Sequence, residues 1–495
     1  MPILANFYKY HKLPLLLIIL SSLFYAFFAY NLARTDSTIL LLLYLGLFLF
    51  ASQIIRTTGF YFRLLVIAAV LFRLLFLVAI PNLSQDFYRF IWDGQMIMAG
   101  LNPYLVTPDF QMEMTVTEGF YNQLELYKGM GPLSASHFTN YPPINQFCFV
   151  IANLLPGKSI LSSVIGLRLI IIAADIGTLY FGKKLLERLK LPSNRIFWYL
   201  LNPFIVIELT GNLHFEGVMI FFLVWSLYLL HCGKWKWAAV TLACSISVKL
   251  IPLMFLPLFF WWFRRPIVMN GTVDKYEQSK AEFQTALEHS QGVNEERRFP
   301  VFSGMTKLIS FYGIIGIIVL LLFLPFFSMA FINNYTKTVG LWFGNFEFNA
   351  SVYYILRDIG FAITGFNEIA ILAKILPVMS LIIILGLSFF RKNNTIPKLA
   401  TSMLFAFACY LFLSTTVHPW YLATLIFLCM FTNYKFPLVW SVAIVLSYLA
   451  YSNAYNSENL WVIGLEYFIV FSVFIWEILK LKSKAEKKPA FKGPA

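Results

Sequence analysis

The amino-acid sequence predicts an all-α polytopic membrane protein. Of its 495 residues, 59% are hydrophobic and 13% are charged, whereas about 25% charged residues are typical of a soluble protein. Long apolar runs recur along the chain, and several reach the ~20 residues that a helix needs to cross a bilayer. We therefore expect a bundle of about 13 or 14 membrane-spanning helices, with a large first outer loop and short re-entrant or broken helical hairpins.

Basic residues predict the orientation of this bundle. Most Lys and Arg lie in short segments between apolar runs, and such segments are typically cytoplasmic. The net charge of +14 therefore indicates membrane topology, and we expect no nucleic-acid partner. Both termini should be cytoplasmic, in a membrane that we expect to be a bacterial inner membrane. The segments 81–143 and 331–368 then become the first and second outer loops.

The predicted domain organisation is simple. Residues 1–480 form one membrane domain, which includes a cytoplasmic polar loop at 264–307, and residues 481–495 form a basic cytoplasmic tail. The first apolar run ends at Tyr30 without a small-residue cleavage motif, so we expect a retained span. None of the five cysteines forms a CxxC pair, which favours free thiols over disulfides or a zinc site.

The apolar runs place the predicted spans in order. A run at 144–155 is too short to cross a bilayer. The run 237–263 is too short for two full spans, so we expect two short helices broken between Lys249 and Pro252. Another hairpin should turn outside at His418. The remaining spans are predicted near residues 13–31, 38–55, 60–80, 160–181, 194–210, 215–231, 308–330, 369–390, 436–453 and 460–479.

The stretch from Asn82 to Tyr104, which follows an apolar run, is the centre of the predicted organisation of the chain. Helical periodicity places Asp86, Arg89 and Asp93 on one face over two turns. Ser84 is a candidate N-cap, which would put Asp86 in the first turn, where free N–H groups favour a carboxylate. The helix should stop at Gly100, before Asn102 and Pro103.

Three further groups of polar residues fall on the predicted outer side. They are His214 and Glu216 in GNLHFEG, Lys249 in SVKLIP, and His418 with Trp420 in HPWY. Ionisable residues at membrane depth are functional candidates. Together with the first outer loop they could line one cavity that holds a carboxylate base, a cation and imidazoles.

Such a cavity suits a transfer reaction between an anionic lipid and a hydroxyl group. A carboxylate that removes the acceptor proton contributes roughly 10²–10⁴-fold to the rate. Lys249 and a histidine would offset the charge on a departing phosphate. Because Arg89 lies between the two aspartates, we expect it to keep both ionised at neutral pH.

Structural roles for the same residues stay open at this point. Asp86 and Asp93 could pair with Arg89 on a solvated helix face, and Lys249 could extend to the interface. The outer histidines and Glu216 could cap or solvate turns. The aromatic residues Tyr104 and Tyr141 could anchor a loop at the membrane surface or stack on a sugar.

The stretch from Asp86 to Tyr104, D-x-Y-R-x-x-W-D-G-x-x-x-x-x-G-x-N-P-Y, resembles the first outer loop of GT-C membrane glycosyltransferases. The likeness extends to Asn140-Tyr141-Pro142-Pro143, to Ser245–Pro252 and to His418–Tyr421, in the expected order. It is strongest to bacterial polyprenyl-phosphate-mannose-dependent mannosyltransferases.

The resemblance implies that a sugar, mannose, moves from a polyprenyl-phosphate carrier to a hydroxyl of a glycan, lipid or protein on the outer face, with inversion. It implies that Asp86 is the base, with Asp93 as second candidate. The residues expected to bind substrate are Arg89, Asn102, Tyr104, Tyr141, His214, Glu216, Lys249, His418 and Trp420. Many relatives have two adjacent acids where this chain has Gln85-Asp86, so no metal site is expected and no cofactor is required.

Two other classes of protein remain alternatives. A transporter or lipid flippase could use broken hairpins and buried charges as a translocation path, but the sequence shows no matched halves with paired broken helices. A lipid-linked glycan ligase or polymerase is chemically closer to a glycosyltransferase, and its activity would depend on outer arginines and a histidine.

Overall fold

A computed structural model of the chain describes residues 2–58, 61–114, 119–264, 301–344, 346–453, 455 and 457–486. These residues form helices, and the β pairing among them is an isolated parallel bridge between Phe348 and Thr416. The helices of the first part of the chain are α1 (Pro2–Tyr30), α2 (Ser37–Thr57), α3 (Phe62–Leu74), α4 (Asp86–Met98), α5 (Pro108–Glu113), α6 (Gln123–Ala135), α7 (Pro143–Asn153), α8 (Ile160–Arg188), α9 (Phe197–Leu200), α10 (Pro203–Ile205), α11 (Glu216–His231), α12 (Trp235–Val248) and α13 (Phe260–Phe263).

The second part of the chain is also helical. Its helices are α14 (Val301–Phe323), α15 (Met329–Gly344), α16 (Val352–Thr364), α17 (Ile369–Phe389), α18 (Ile396–Phe412), α19 (Leu422–Cys429), α20 (Phe436–Ala443) and α21 (Leu460–Glu486). Single 3₁₀ segments connect several of them, and a π-helical turn, Val206–Gly211, follows α10. The all-α fold class is confirmed.

Six helices of the described chain are long and apolar enough to cross a membrane. They are Lys12–Tyr30, Ser37–Thr57, Ile160–Arg188, Gly304–Phe326, Ile369–Phe389 and Leu460–Ser483. A pair bent by 113°, Pro203–Gly211 with Glu216–His231, could supply a seventh span, and shorter apolar helices lie at Ile251–Phe263, Ile396–Phe412, Pro419–Cys429 and Phe436–Ser452. The chain is therefore a polytopic membrane protein, while the number of 13 or 14 crossings stays a prediction.

The predicted break at Lys249 is confirmed. Helix α12 ends at Val248, Lys249 is extended (φ −145°, ψ 141°), and a 3₁₀ helix follows at Ile251–Phe259. Pro252 at the start of that helix has no N–H to continue the ladder of α12. The break therefore turns the Lys249 side chain out of a regular helix.

Helix α4 begins at Asp86, which lies in its first turn as predicted, but the cap position is Gln85 and not Ser84. Ser84 accepts a hydrogen bond from the backbone N–H of Asp86 (3.3 Å), so it holds the helix start from one residue further out. Gly100 ends the helix with φ +76°, a conformation that glycine adopts at little cost.

Close packing fixes α4 against α7. A Cβ at Gly94 would lie 2.3 Å from Asn153 Nδ2 and 2.7 Å from the carbonyl oxygen of Phe149. Only glycine permits this approach, which buries the middle of α4 completely. The first outer loop is thereby anchored on α7, the run that was predicted to be too short to span the membrane.

Two buried arginines brace the helices behind this loop. Arg73 pairs with Asp175 (2.6 Å) and donates to the carbonyl of Leu200 (2.8 Å). Arg168 donates to the carbonyl oxygens of Thr210 and Gly211 (2.8 and 3.0 Å). Because a π-helical turn leaves carbonyl groups poorly satisfied, Arg168 stabilises the turn that precedes His214.

Parts of the predicted polar segments lie outside the described residues. For the loop 264–307 this applies to residues 265–300, while residues 301–307 belong to α14. For the tail 481–495 it applies to residues 487–495, because α21 continues to Glu486.

Candidate active site

A cavity of about 700 Å³ is lined by residues of the segment 81–143, the predicted first outer loop, and by residues of distant segments. It is enclosed by the start of α4, the end of α6, the break after α12 and the turn before α19. Six of the predicted site residues line it: Asp86, Arg89, Tyr141, Lys249, His418 and Trp420. Residues from about position 84 to position 420 therefore meet in one space.

Asp86 presents its carboxylate to this cavity. Its side chain is 40% exposed, and among the described residues no donor forms a hydrogen bond to it. Burial raises the pKa of Asp86 to about 6, assisted by Glu216 and opposed by Lys249 and Arg34. A carboxylate with this pKa is ionised at neutral pH and is more basic than an ordinary aspartate, which suits general-base chemistry.

Arg89 does not lie between the two aspartates, so the expectation that it holds both ionised was wrong for Asp86. Its Nε donates to Asp93 (2.7 Å), and its Nη1 donates to the carbonyls of Ser134 and His137 (2.6 and 2.9 Å). These contacts draw the guanidinium toward α6 and away from Asp86.

Asp93 is fully buried and does not line the cavity. Besides Arg89, it accepts a hydrogen bond from Gln146 on α7 (3.1 Å). A carboxylate with these partners ties α4 to its neighbours, so the structure places the two candidate bases in different environments.

Lys249 forms the cationic wall of the cavity. Its ammonium lies 3.1 Å from Glu216, which is completely buried, and 5.4 Å from the centre of the Tyr141 ring. The lysine side chain is 18% exposed, so it faces the cavity with part of its charge offset. Glu216 lies behind it and holds it in place.

Trp420 lies between the two predicted histidines. Its ring stacks on His214 at 3.8 Å and on His418 at 4.5 Å between centroids. Burial and the charge of Lys249 lower the pKa of His418 to about 3. His418 is therefore neutral near pH 7 and can donate a hydrogen bond, but it supplies no positive charge.

Asn102 and Tyr104 lie away from the cavity lining. The Tyr104 hydroxyl donates to the carbonyl of Tyr141 (2.6 Å), and Asn102 accepts from the backbone N–H of Tyr104 (3.0 Å) and donates to the carbonyl of Phe326 (3.3 Å). These contacts position Tyr141. The C-terminal end of the Asp86–Tyr104 stretch thus supports the cavity from outside its lining.

The sequence analysis missed two charged residues of this site. Arg34 lines the cavity and lies 3.3 Å from the centre of the Tyr451 ring. Glu208 is 1% exposed and lies behind His214. A signal for each existed: Arg34 is a basic residue in a short loop that topology places outside, and Glu208 is an acid inside an apolar run.

Within the described part of the chain, no group of three or more His, Cys, Asp or Glu side chains could hold a metal ion. The five cysteines are free.

Comparison with known proteins identifies the family. The model of the MptA_B family, described as alpha-(1->6)-mannopyranosyltransferase, N-terminal domain, matches residues 18–265, which is half of the chain. The chain belongs to this family. The family match covers the chain from α1 to α13 and includes Asp86, His214 and Lys249, while His418 and Trp420 lie beyond it.

Alpha-(1->6)-mannopyranosyltransferase A of Mycobacterium tuberculosis (strain ATCC 25618 / H37Rv) is similar to this MptA_B-family chain. The two are 23% identical over 190 residues, which are 38% of this chain and 35% of the relative. The chain therefore matches about a third of the length of that relative. No solved structure matches the chain.

Proposed function

We propose that this MptA_B-family protein is an integral membrane mannosyltransferase. It transfers mannose from a polyprenyl-phosphate donor to a hydroxyl acceptor on the outer face of the membrane, and Asp86 is the general base. The observation that carries the proposal is the cavity in which an unpaired, partly desolvated Asp86 faces Lys249 and the neutral His418.

The proposed reaction assigns a task to each side of the cavity. Asp86 removes the proton of the acceptor hydroxyl as its oxygen attacks the anomeric carbon. Lys249 and Arg34 offset the negative charge of the phosphate as it leaves, and such contacts are strong where water is excluded. His418 donates a hydrogen bond to the same phosphate or to a sugar hydroxyl.

The cavity also favours this assignment of the base over the alternative. Asp93 has no cavity surface and is occupied by Arg89 and Gln146, so a proton acceptor at that position would be out of reach of a substrate. Within the described residues, Asp86 accepts no hydrogen bond of this kind. We therefore keep Asp86 as the proposed base and assign Asp93 a structural role.

The test uses purified protein, polyprenyl-phosphate-[¹⁴C]mannose and a mixed membrane glycan extract. We expect the wild type to form a labelled product and Asp86→Asn to lose at least about 10²-fold of the rate. The matched control is Asp109→Asn, the same change on the same outer loop, at a carboxylate that accepts from Tyr127 (2.8 Å) and lies outside the cavity lining.

The outcomes separate the parts of the proposal. Equal rates for wild type and Asp86→Asn would remove Asp86 as the base. Transfer from other polyprenyl-phosphate sugars but not from the mannose donor would keep the reaction class and remove mannose. Movement of label across a bilayer without any covalent product would replace the transferase with a transporter or flippase.

A further inference from the structure

An unusual backbone segment holds His214 in place. It follows the π-helical turn Val206–Gly211, and Leu213, immediately before the histidine, has φ +64° although it is fully buried. A left-handed conformation of a branched, non-glycine residue is strained, and such strain is concentrated at functional sites. The His214 backbone N–H donates to the carbonyl of Glu208 (3.3 Å), which closes the turn.

The imidazole of His214 lies between two carboxylates. Its Nδ1 is 4.0 Å from Asp86 Oδ2, and its Nε2 is 3.9 Å from Glu208 Oε2. The side chain is 1% exposed, and neither ring nitrogen has a hydrogen-bond partner within the described residues. Catalytic hydrogen bonds are commonly long in unliganded enzymes and tighten with substrate, so both nitrogens are aimed at partners that they can reach.

The neighbours of Glu208 indicate which ring nitrogen carries the proton. Tyr448 donates to Glu208 Oε1 (2.6 Å) and Asn212 donates to Oε2 (3.4 Å), as expected for a carboxylate that only accepts. We therefore assign the proton of His214 to Nε2, the nitrogen that faces Glu208 at 3.9 Å. A buried charged imidazolium without hydrogen bonds would be costly, so Nδ1 is left as an acceptor that faces Asp86.

Asn212 also links this group to the start of α4. Its Oδ1 accepts from the backbone N–H of Leu83 (3.4 Å) while its amide donates to Glu208. The segment that carries Asp86 and the turn that carries His214 are thus joined through one side chain. Among the described residues, the other charged or titratable groups that face this pair include Lys249, Glu216, Arg34 and His418, together with the phenols of Tyr141, Tyr421 and Tyr451.

From this geometry we infer that His214 is a positioning residue for the proposed reaction: its Nδ1 accepts a hydrogen bond from Asp86 once Asp86 is protonated, and Glu208 fixes the tautomer that makes this possible. The inference rests on the proposed function. It replaces the expectation that His214 binds substrate, because the ring is covered by Trp420 and does not line the cavity.

The chemical step balances as follows. The acceptor O–H bond breaks and its proton moves to Asp86 Oδ2, while the acceptor oxygen bonds to the anomeric carbon. The bond between that carbon and the phosphate oxygen breaks, and its electron pair leaves with the lipid phosphate. The new O–H of Asp86 then donates a hydrogen bond to His214 Nδ1. This hydrogen bond stabilises the protonated form of the base.

The test is the pH dependence of two measurements on the full-length protein. The first is the acid limb of kcat/KM for mannose transfer. The second needs no turnover: carbodiimide modifies a carboxyl group in its acid form, so mass spectrometry of labelled Asp86 reports its titration directly. Because His214 Nδ1 stabilises protonated Asp86, its removal should lower the pH of both transitions.

For His214→Phe, which keeps a ring on Trp420, we expect kcat to fall about 10- to 100-fold and both transitions to move to lower pH by about one unit, a tenfold change in the ionisation constant. In His214→Asn the amide oxygen can replace Nδ1 as the acceptor, so most of the shift should be absent and both transitions should lie close to their wild-type pH. Glu208→Gln can reverse the tautomer of His214. Both transitions should then move to lower pH, as in His214→Phe, although the imidazole stays in place. The control is His231→Phe at the other end of α11, which should leave both transitions unchanged.

The results distinguish this inference from the proposed function. A loss of kcat with unmoved transitions would make His214 merely structural, and a shift to higher pH would show that Nδ1 donates to ionised Asp86; either result overturns the inference. If the wild type transfers no sugar but Asp86 labelling shifts in His214→Phe, the proposed function fails while the coupling of Asp86 to His214 stands.

Discussion

The two segments predicted to be outer loops, 81–143 and 331–368, each carry a buried or half-buried carboxylate, and they hold it in opposite ways. Asp86 in the first segment faces a cavity and has no hydrogen-bond donor among the described residues. Glu347 in the second accepts from Tyr353 (2.5 Å), Asn367 (2.6 Å) and Arg357 (2.8 Å). Burial raises the pKa of Asp86 to about 6, whereas at Glu347 the raising effect of burial is outweighed by these hydrogen bonds and the pKa is lowered.

This difference shows how a carboxylate is kept available for chemistry. A group that receives three donors is stabilised as an anion and holds the surrounding loop in place. A group that is desolvated without donors is less stable as an anion and more basic. The first outer segment makes the same distinction within one helix, because Arg89 satisfies Asp93 and leaves Asp86 unpaired.

The largest expected effect comes from breaking a fully buried pair. Arg89→Met leaves Asp93 charged and without its ion-pair partner, so the free energy of unfolding should fall by about 3–5 kcal/mol. The matched change Arg357→Met acts on a pair whose side chains are 17% and 21% exposed and should cost about 1 kcal/mol or less. Reversible unfolding in mixed micelles measures both, and equal losses would contradict the distinction.

The next effect concerns the cation beside Asp86. Lys249 lowers the pKa of Asp86, so Lys249→Met should move the acid limb of kcat/KM to higher pH and reduce the rate about 10- to 100-fold. Glu216→Gln removes a group that raises the same pKa and should move the limb the other way. The pH–rate profiles of both variants and of the exposed control Lys128→Met test this. If Lys249→Met and Glu216→Gln shifted the acid limb of kcat/KM in the same direction, the titration of Asp86 would not set that limb.

A smaller effect is expected in the wild type itself. Because Asp86 must be ionised to accept a proton, kcat/KM should fall about tenfold per pH unit below a pH of about 6. Glu347→Gln should keep this profile, since Glu347 lies in a separate hydrogen-bonded group. A pH-independent rate between pH 4 and pH 7 would remove a carboxylate of this pKa from the mechanism.

The smallest expected effect is that substitutions of Asp86 and of Glu347 change the free energy of unfolding in opposite directions. The raised pKa of Asp86 means that its stabilising contribution is present below the unfolded pKa and is lost as the pH rises to about 6. For Glu347 the lowered pKa means a contribution that is present above the unfolded pKa and lost as the pH falls. At pH 7, Asp86→Asn should therefore stabilise the protein by about 1 kcal/mol, allowing for the 40% exposure of Asp86.

Glu347→Gln should destabilise the protein at the same pH by about 1 kcal/mol. Thermal unfolding of the two variants in one detergent provides the comparison. Destabilisation by both changes would mean that Asp86 has partners in solution that the structure does not contain.

Much of the fold followed from local pattern. Apolar runs and the positions of proline and glycine predicted the break after α12 and the end of α4 at Gly100, because they limit the backbone through hydrogen bonding and steric contact alone. The motif around Asp86 indicated the family that the comparison then identified. The cap of α4 lies one residue later than predicted, at Gln85, and Ser84 accepts from the backbone N–H of Asp86 instead.

The sequence by itself determined the membrane fold and indicated the family, while the outer position of the charged groups stays a prediction. Only the tertiary structure decided which charges pair. Helical spacing placed Arg89 equally close to both aspartates, and the carbonyl groups of Ser134 and His137 on another element drew it to Asp93. Likewise, Glu208 and Arg34 joined the site from distant segments. Pairing depends on desolvation and on donors that come from the whole bundle, and a one-dimensional pattern does not contain those distances.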